Sequence, residues 1–151
     1  MRLRLFDYKD LNIVEFSSEM SPVSNKKFSE TSKYLHGSVF SLIQTAFSLS
    51  HPDFSYYDLT QYDNNKLTSL RNHLQDHYSR LKNTASYDEF DAYLKMQVEG
   101  IVFLNDLKTF YPGWKVTWEN IRKELLSIYE DLLDMIDNCI DDDLVLKVRG
   151  F

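Results

Sequence analysis

Three groups of residues in this sequence have types and spacings that could do chemistry. The first lies in RNHLQDHY, residues 71–78. Arg71 and His77 pair a group that holds phosphate with a group that carries protons near neutral pH. On a helix at about 100° per residue they lie some 120° apart, flanking a leucine stripe, where each would be half-buried. An ordinary helix edge with a hydrogen-bonded histidine has the same pattern. His73 and His77 also stand at i and i+4 with Asp76 alongside, a spacing at which two imidazoles share a metal. No third ligand stands at a fixed offset and no HExxH occurs, so neither a metal nor another cofactor is expected.

The second group is acidic. Glu130, Asp134, Asp137 and Asp141 fall within about 60° of one another on a helix, opposite its apolar face, with Asp131, Asp142 and Asp143 beside them. Any solvated helix carries such a stripe, but five of these residues crowd the C-terminal end. There the partial negative charge of the helix disfavours each anion by about 0.3 kcal/mol or more, and like charges at i and i+4 add a similar cost. The third group is aromatic: Tyr56, Tyr57 and Tyr62 alternate with Asp53, Asp58 and Asp63. Tyrosine offers contact area for little lost rotamer freedom, so these rings suit a recognition surface, and they suit equally well a lid over the core.

The background for these groups is a chain of 151 residues, 43% of them apolar and 15% aromatic, with three prolines and four glycines. That is the size of one domain, read as 1–151, with long regular elements. The single Cys139 has no partner for an internal disulfide, and neither a second Cys nor a His stands near it in sequence, as for a buried, inert thiol in a reducing compartment. MRLRLFDYKD lacks the apolar run of a signal peptide. The most apolar stretch, from Val39, is too short and too polar to span a bilayer. The expected location is the cytoplasm, with no membrane partner. From Thr117 to Asp143 nine acids face two bases, a net −7 that leaves +1 for the rest of a chain of net charge −6. Such an asymmetry points to a partner-facing patch of the wrong sign for a phosphate backbone.

The elements that must position these groups are read from apolar spacing and punctuation. Ser21-Pro22 starts a helix that carries Phe28, Leu35, Val39, Leu42, Ile43, Ala46 and Phe47 to His51-Pro52, with a break near Gly37. A second helix runs from about Asn65 to Lys82, capped by Asp63, with Leu67, Leu70, Leu74, Tyr78 and Leu81 on its stripe. Ser86 to Glu89 form a capping box for a third, which continues through Phe90, Tyr93, Leu94, Ile101, Leu104, Leu107 and Phe110 to Pro112-Gly113. Thr117 caps the fourth, whose core face is Trp118, Ile121, Leu125, Ile128, Leu132, Ile136 and Cys139. Residues 51–65 form the one irregular region, long for a loop, with room for a helical turn. Arg2 to Phe6, Leu11 to Phe16 and Leu144 to Arg149 are short and rich in branched residues. The expected fold is therefore mainly α, a bundle of about four long helices, with a small antiparallel sheet from the chain termini as an option.

Two resemblances follow. RNHLQDHY resembles the motif of HEPN domains, small helical proteins of prokaryotic conflict systems, in which Arg, then Asn, Asp or His, then His after a short spacer form a ribonuclease site. At Arg71, Asn72 and His77 that resemblance implies metal-independent RNA cleavage in a homodimer. The motif stands before the midpoint here, whereas the family places it late, and only Lys66, Arg80 and Lys82 give local basic support. By size, charge and organisation, the whole chain resembles immunity proteins of bacterial contact-dependent growth inhibition. That resemblance implies no enzyme and no direct contact with nucleic acid. It implies an inhibitor that docks on a cognate basic toxin, often a nuclease, and occludes its active site. Glu130, Asp131, Asp134, Asp137, Asp141, Asp142 and Asp143 would steer the encounter, and Tyr56, Tyr57 and Tyr62 would anchor it.

Overall fold

The helices whose stripes are most regular form as the periodicity predicts. A computed structural model describes residues 1–7, 12–27 and 31–151. In chain order the elements are β1 (Ile13–Glu19), β2 (Lys33–His36), α1 (Gly37–Phe40), α2 (Gln44–Ser50), β3 (Thr60–Tyr62), α3 (Asn64–Lys82), α4 (Tyr87–Met96), α5 (Gly100–Phe110), α6 (Trp118–Asp141) and β4 (Val145–Gly150). α3 buries Leu67, Leu70, Leu74 and Leu81, while α6 buries Ile121, Leu125, Ile128, Leu132, Ile136 and Cys139. Asp63 caps α3, its carboxylate accepting from the Lys66 N–H at 3.4 Å. Ser86 accepts from the Glu89 N–H at 3.3 Å, a donor that the helix leaves free, while the Glu89 carboxylate reaches past the cap residue and accepts from the Ala85 N–H at 2.6 Å instead of from Ser86.

The architecture is nonetheless mixed α and β, and the mainly α four-helix bundle is overturned. Among the described residues a four-stranded antiparallel sheet runs in the order β2-β1-β4-β3. β1 and β4, expected from the termini, pair with Val14 opposite Gly150 and Glu19 opposite Val145. β2 and β3 were expected to be helix and loop. Of the N-terminal stretch Arg2 to Phe6, only Phe6 joins in, through an isolated bridge to Tyr34. Ser21 and Pro22 lie outside any helix, joined by a cis peptide bond. Phe28 and Leu11, also assigned in the sequence reading, lie outside the described residues.

The reason for the first error is visible in β2. Tyr34 and Leu35 are both buried, on opposite faces of the strand, so β2 shows none of the polar alternation of a half-exposed strand. Across the joint into α1, Leu35 and Val39 stand four apart and mimic a helical stripe. The expected third helix is two helices, α4 and α5, broken at Gln97 to Glu99. A Cβ on Gly100 would come within 2.0 Å of the Leu94 carbonyl oxygen, so the elbow is too tight for any side chain there. The break resets the helical phase, and Ile101 and Phe110, assigned to the core, are exposed.

One sheet face, with Val14, Phe16, Leu35, Leu146 and Val148, merges with the helix core. The other face carries Glu15, Ser17, Lys147 and Arg149, all buried. The Lys147 ammonium donates to Glu19 at 2.5 Å and to the Lys26 carbonyl at 2.8 Å, while Arg149 donates to the Asn25 carbonyl at 3.4 Å. Charged side chains of β4 thus hold residues 25–26 against the sheet. Burial works against the Glu19 carboxylate, but Lys147 and the Ser24 N–H outweigh it and hold its pKa below the usual range.

α3 and α6 are clamped together at the end of α3. Arg122 of α6 donates through Nε to the Leu81 carbonyl at 3.1 Å and to Thr84 Oγ1 at 3.0 Å, and through Nη2 to the Lys82 carbonyl. These carbonyls are acceptors that the helix cannot satisfy itself, and a cation there also opposes the helix dipole. Arg122→Met, which keeps the aliphatic stem, is expected to lower stability by about 1.5–3 kcal/mol. Urea denaturation checks the loss, and amide exchange should quicken at the end of α3 before it does elsewhere.

Candidate functional site

The clamp lays the middle of α3 along the last turns of α6 and brings two of the sequence candidates together. Arg71 meets Asp137 in a bidentate pair, Nε to Oδ1 at 2.5 Å and Nη2 to Oδ2 at 3.2 Å, with each side chain 40% exposed. Seven residues further along α3, the Tyr78 hydroxyl donates to Glu130 at 2.8 Å. The guanidinium proposed to hold phosphate and a carboxylate proposed to steer a partner therefore occupy each other. A planar guanidinium engaged on both edges of a carboxylate has its strongest geometry for anions already in use.

His77 lies between these contacts, half-buried, its ring 6.4 Å from that of Tyr129, with Nδ1 buried and without a hydrogen-bond partner. Burial lowers its pKa, Arg80 and His73 lower it further, and Asp76 opposes them. Burial therefore favours the neutral imidazole. Among the described residues no three His, Cys, Asp or Glu side chains are placed to hold a metal. Cys139 is buried in the core, and its thiol is pushed up to about 11 by burial and then by Asp142.

The acidic stripe divides along its length. Glu130 and Asp137 turn toward α3, as described. Asp131 and Asp134 turn toward the strand edge, where with Asp7, Lys33, Met135 and Asn138 they line a cleft of about 430 Å³. Lys33 is paired to Asp7. Burial, Asp134 and Glu130 raise the pKa of Asp131 against the pull of Lys33. Asp143 is structural. It adopts φ 53° and ends α6, with its own N–H reaching the Ile140 carbonyl at 3.4 Å and the Leu144 N–H reaching the Cys139 carbonyl at 2.8 Å. This is the hydrogen-bond pair of a Schellman turn, with aspartate where glycine is usual. Its carboxylate accepts from Asn64 at 3.0 Å. Among the described residues Asp134, Asp141 and Asp142 are exposed and have no ion-pair partner, and the last turn of α6 holds no basic residue.

No protein-family model, curated protein or solved structure matches the chain.

The three tyrosines separate. Tyr62 is completely buried, its hydroxyl donating to the Phe47 carbonyl at 2.9 Å and its ring edge-on to Phe47, so it is a core lid and is corrected as an anchor. Tyr57 is 81% exposed. Tyr56 is half-buried beneath it, the rings 5.0 Å apart and nearly perpendicular, and the Tyr56 carbonyl accepts from the Gly150 N–H at 2.8 Å. A Cβ at Gly150 would fall 2.3 Å from that oxygen and 2.7 Å from the Tyr56 ring. Sequence reasoning missed three apolar side chains on the same side as Tyr57: Leu49, Val98 and Val102, all exposed. The available signal was the run VEGIV, where two valines flank a Glu-Gly break that no amphipathic helix interior would carry.

Two expectations follow from the seam between α3 and α6. In a double-mutant cycle of Arg71→Ala and Asp137→Ala, the coupling should be about 0.5–1 kcal/mol, the size of a half-exposed bidentate pair. The pKa of His77 is lowered in the fold, so its contribution is fully present above pH 6.5 and is lost progressively below it, as the unfolded chain takes the proton first, until pH has fallen through the lower folded value. His77→Leu should be at least as stable at pH 7 and should lose less stability than the parent between pH 7 and pH 5, as read from urea midpoints.

Proposed function

We propose that the chain is an immunity protein, a stoichiometric inhibitor that binds a basic toxin in the cytoplasm and occludes its active site. A nuclease, whose cleft is built to receive phosphates, is the expected target class. The observation that carries this reading is the set of exposed carboxylates toward the C-terminal end of α6, Asp134, Asp141 and the cap residue Asp142, left without a cation among the described residues near the pole of the helix where anions are least favourable. Their arrangement supports electrostatic steering: an acidic strip raises the encounter rate with a basic cleft, and the effect fades with salt. Asp131 adds to the strip from the cleft side. Glu130 and Asp137 contribute to the field while engaged with Tyr78 and Arg71. The commitment of Arg71 to Asp137, beside a half-buried His77 whose Nδ1 has no hydrogen-bond partner, weighs against the ribonuclease alternative.

The test uses a basic toxin domain encoded beside the gene. Co-expression with the chain should abolish its toxicity. The quadruple amide variant Asp131→Asn, Asp134→Asn, Asp141→Asn, Asp142→Asn should slow association about tenfold at low ionic strength and much less at 0.5 M salt. The same variant should be slightly more stable, by about 0.3 kcal/mol or more per acid removed from the helix end. Metal-independent RNA cleavage by the purified chain, abolished by Arg71→Ala, would overturn the proposal.

A further inference from the structure

The exposed apolar side chains gather around one groove. Two clefts, of about 340 and 260 Å³, share the lining residues Gln44 and Glu99 and so run into each other between α2 and the start of α5. Tyr57 and Val102 line one, and Leu49 and Val98 line the other. These four are 81%, 42%, 63% and 75% exposed respectively. Monomeric surfaces usually carry exposed apolar residues singly, and a contiguous group beside polar residues marks a place of contact. Ser38, Ser41, Ser48 and Thr45 also line the two clefts.

Charge selects the occupant. Of the described residues that line the two clefts only Glu99 is charged, and the loop that carries Tyr57 adds the exposed Asp53 and Asp58 beside them. Asp106 is bonded to Ser38, whereas Asp53, Asp58 and Glu99 are exposed. A second copy of this chain would bring the same carboxylates against these, which opposes self-association through this face. An anionic surface or nucleic acid would be repelled.

We infer that the groove between Tyr57 and Leu49 is the anchoring half of the interface and receives a protein segment that presents apolar side chains flanked by Lys or Arg. The inference rests on the inhibitor reading and adds to it a place: steering on α6, desolvated contact at α2 and α5. The division follows the general pattern in which rim charges set encounter and a few buried apolar or aromatic groups set residence time.

The probe is an N-acetylated, C-amidated twelve-residue peptide of alternating Leu and Lys, titrated into the full-length chain at 150 mM salt and followed by amide chemical shifts. Shift changes are expected at Gln44, Ser48, Tyr57, Val98, Glu99 and Val102. Val98→Lys with Val102→Lys should weaken the affinity at least tenfold. Both positions are solvent-exposed, so the fold should survive, and an unchanged urea midpoint checks this. Shifts confined to α6, no binding at all, or a valine variant that binds as the parent does would each overturn the groove while leaving the toxin co-expression result intact. A concentration-dependent dimer in sedimentation that Val98→Lys dissociates would overturn it in favour of a second copy.

Discussion

The turn at Asp142 to Leu144 is the constraint on which the rest depends. It stops the longest helix and reverses the chain into β4, one of the two inner strands of the sheet, bonded by β1 and β3. Once α6 and β4 are joined so closely, the helix must lie over the sheet, and Leu146 and Val148 share a core with Ile136 and Cys139. β1 then takes one edge of β4 and β3 the other. The reversal is made by a residue at φ 53° that is not glycine, a conformation that aspartate tolerates better than most side chains. The Asn64 amide, donated from the first residue of α3, ties this turn to the second-longest helix.

That tie explains why the chemical candidates do not behave independently. Read along the chain, an arginine on one helix and an aspartate on another are separate resources. Packed side by side, Arg71 and Asp137 neutralise each other at the surface, and Glu130 accepts from Tyr78 in the same seam. The carboxylates that stay exposed and unpaired are those beyond the reach of α3, on the far side of α6 or past its end. A stripe that looks uniform on a helical wheel is divided in space between packing and solvent.

What could be read from the sequence follows the range of the forces involved. α3, the first half of the third helix, and α6 declare themselves through i, i+3, i+4 spacing and through caps such as Asp63 and Ser86, all settled within one or two turns. Thr117 was assigned as a cap and does sit at that position, but its hydroxyl donates back to Trp114 at 3.5 Å and leaves the first turn of α6 uncapped by a side chain. β2 and β3 are four and three residues long and owe their existence to partners far away in sequence, so no local period reports them. The break at Gln97 to Glu99 was hidden for a different reason: Leu94, Ile101, Leu104 and Leu107 keep an apolar rhythm across it. Of the site, the carboxylates at the end of α6 and Tyr57 were legible as types at a place. The Arg71–Asp137 pair, the burial of Tyr62 and the groove beside Val98 needed the third dimension.

Gly150 gives the aromatic loop its position in an indirect way. The final residue of β4 leaves just enough room for the Tyr56 carbonyl and ring to lie against the strand, and Tyr57 leans on that ring. The most exposed tyrosine among the described residues is thus held by the absence of a methyl group at the far end of the chain. Its stance is coupled to the sheet like a needle to a dial, so a disturbance at the close of β4 would be felt on a surface that β4 itself never reaches.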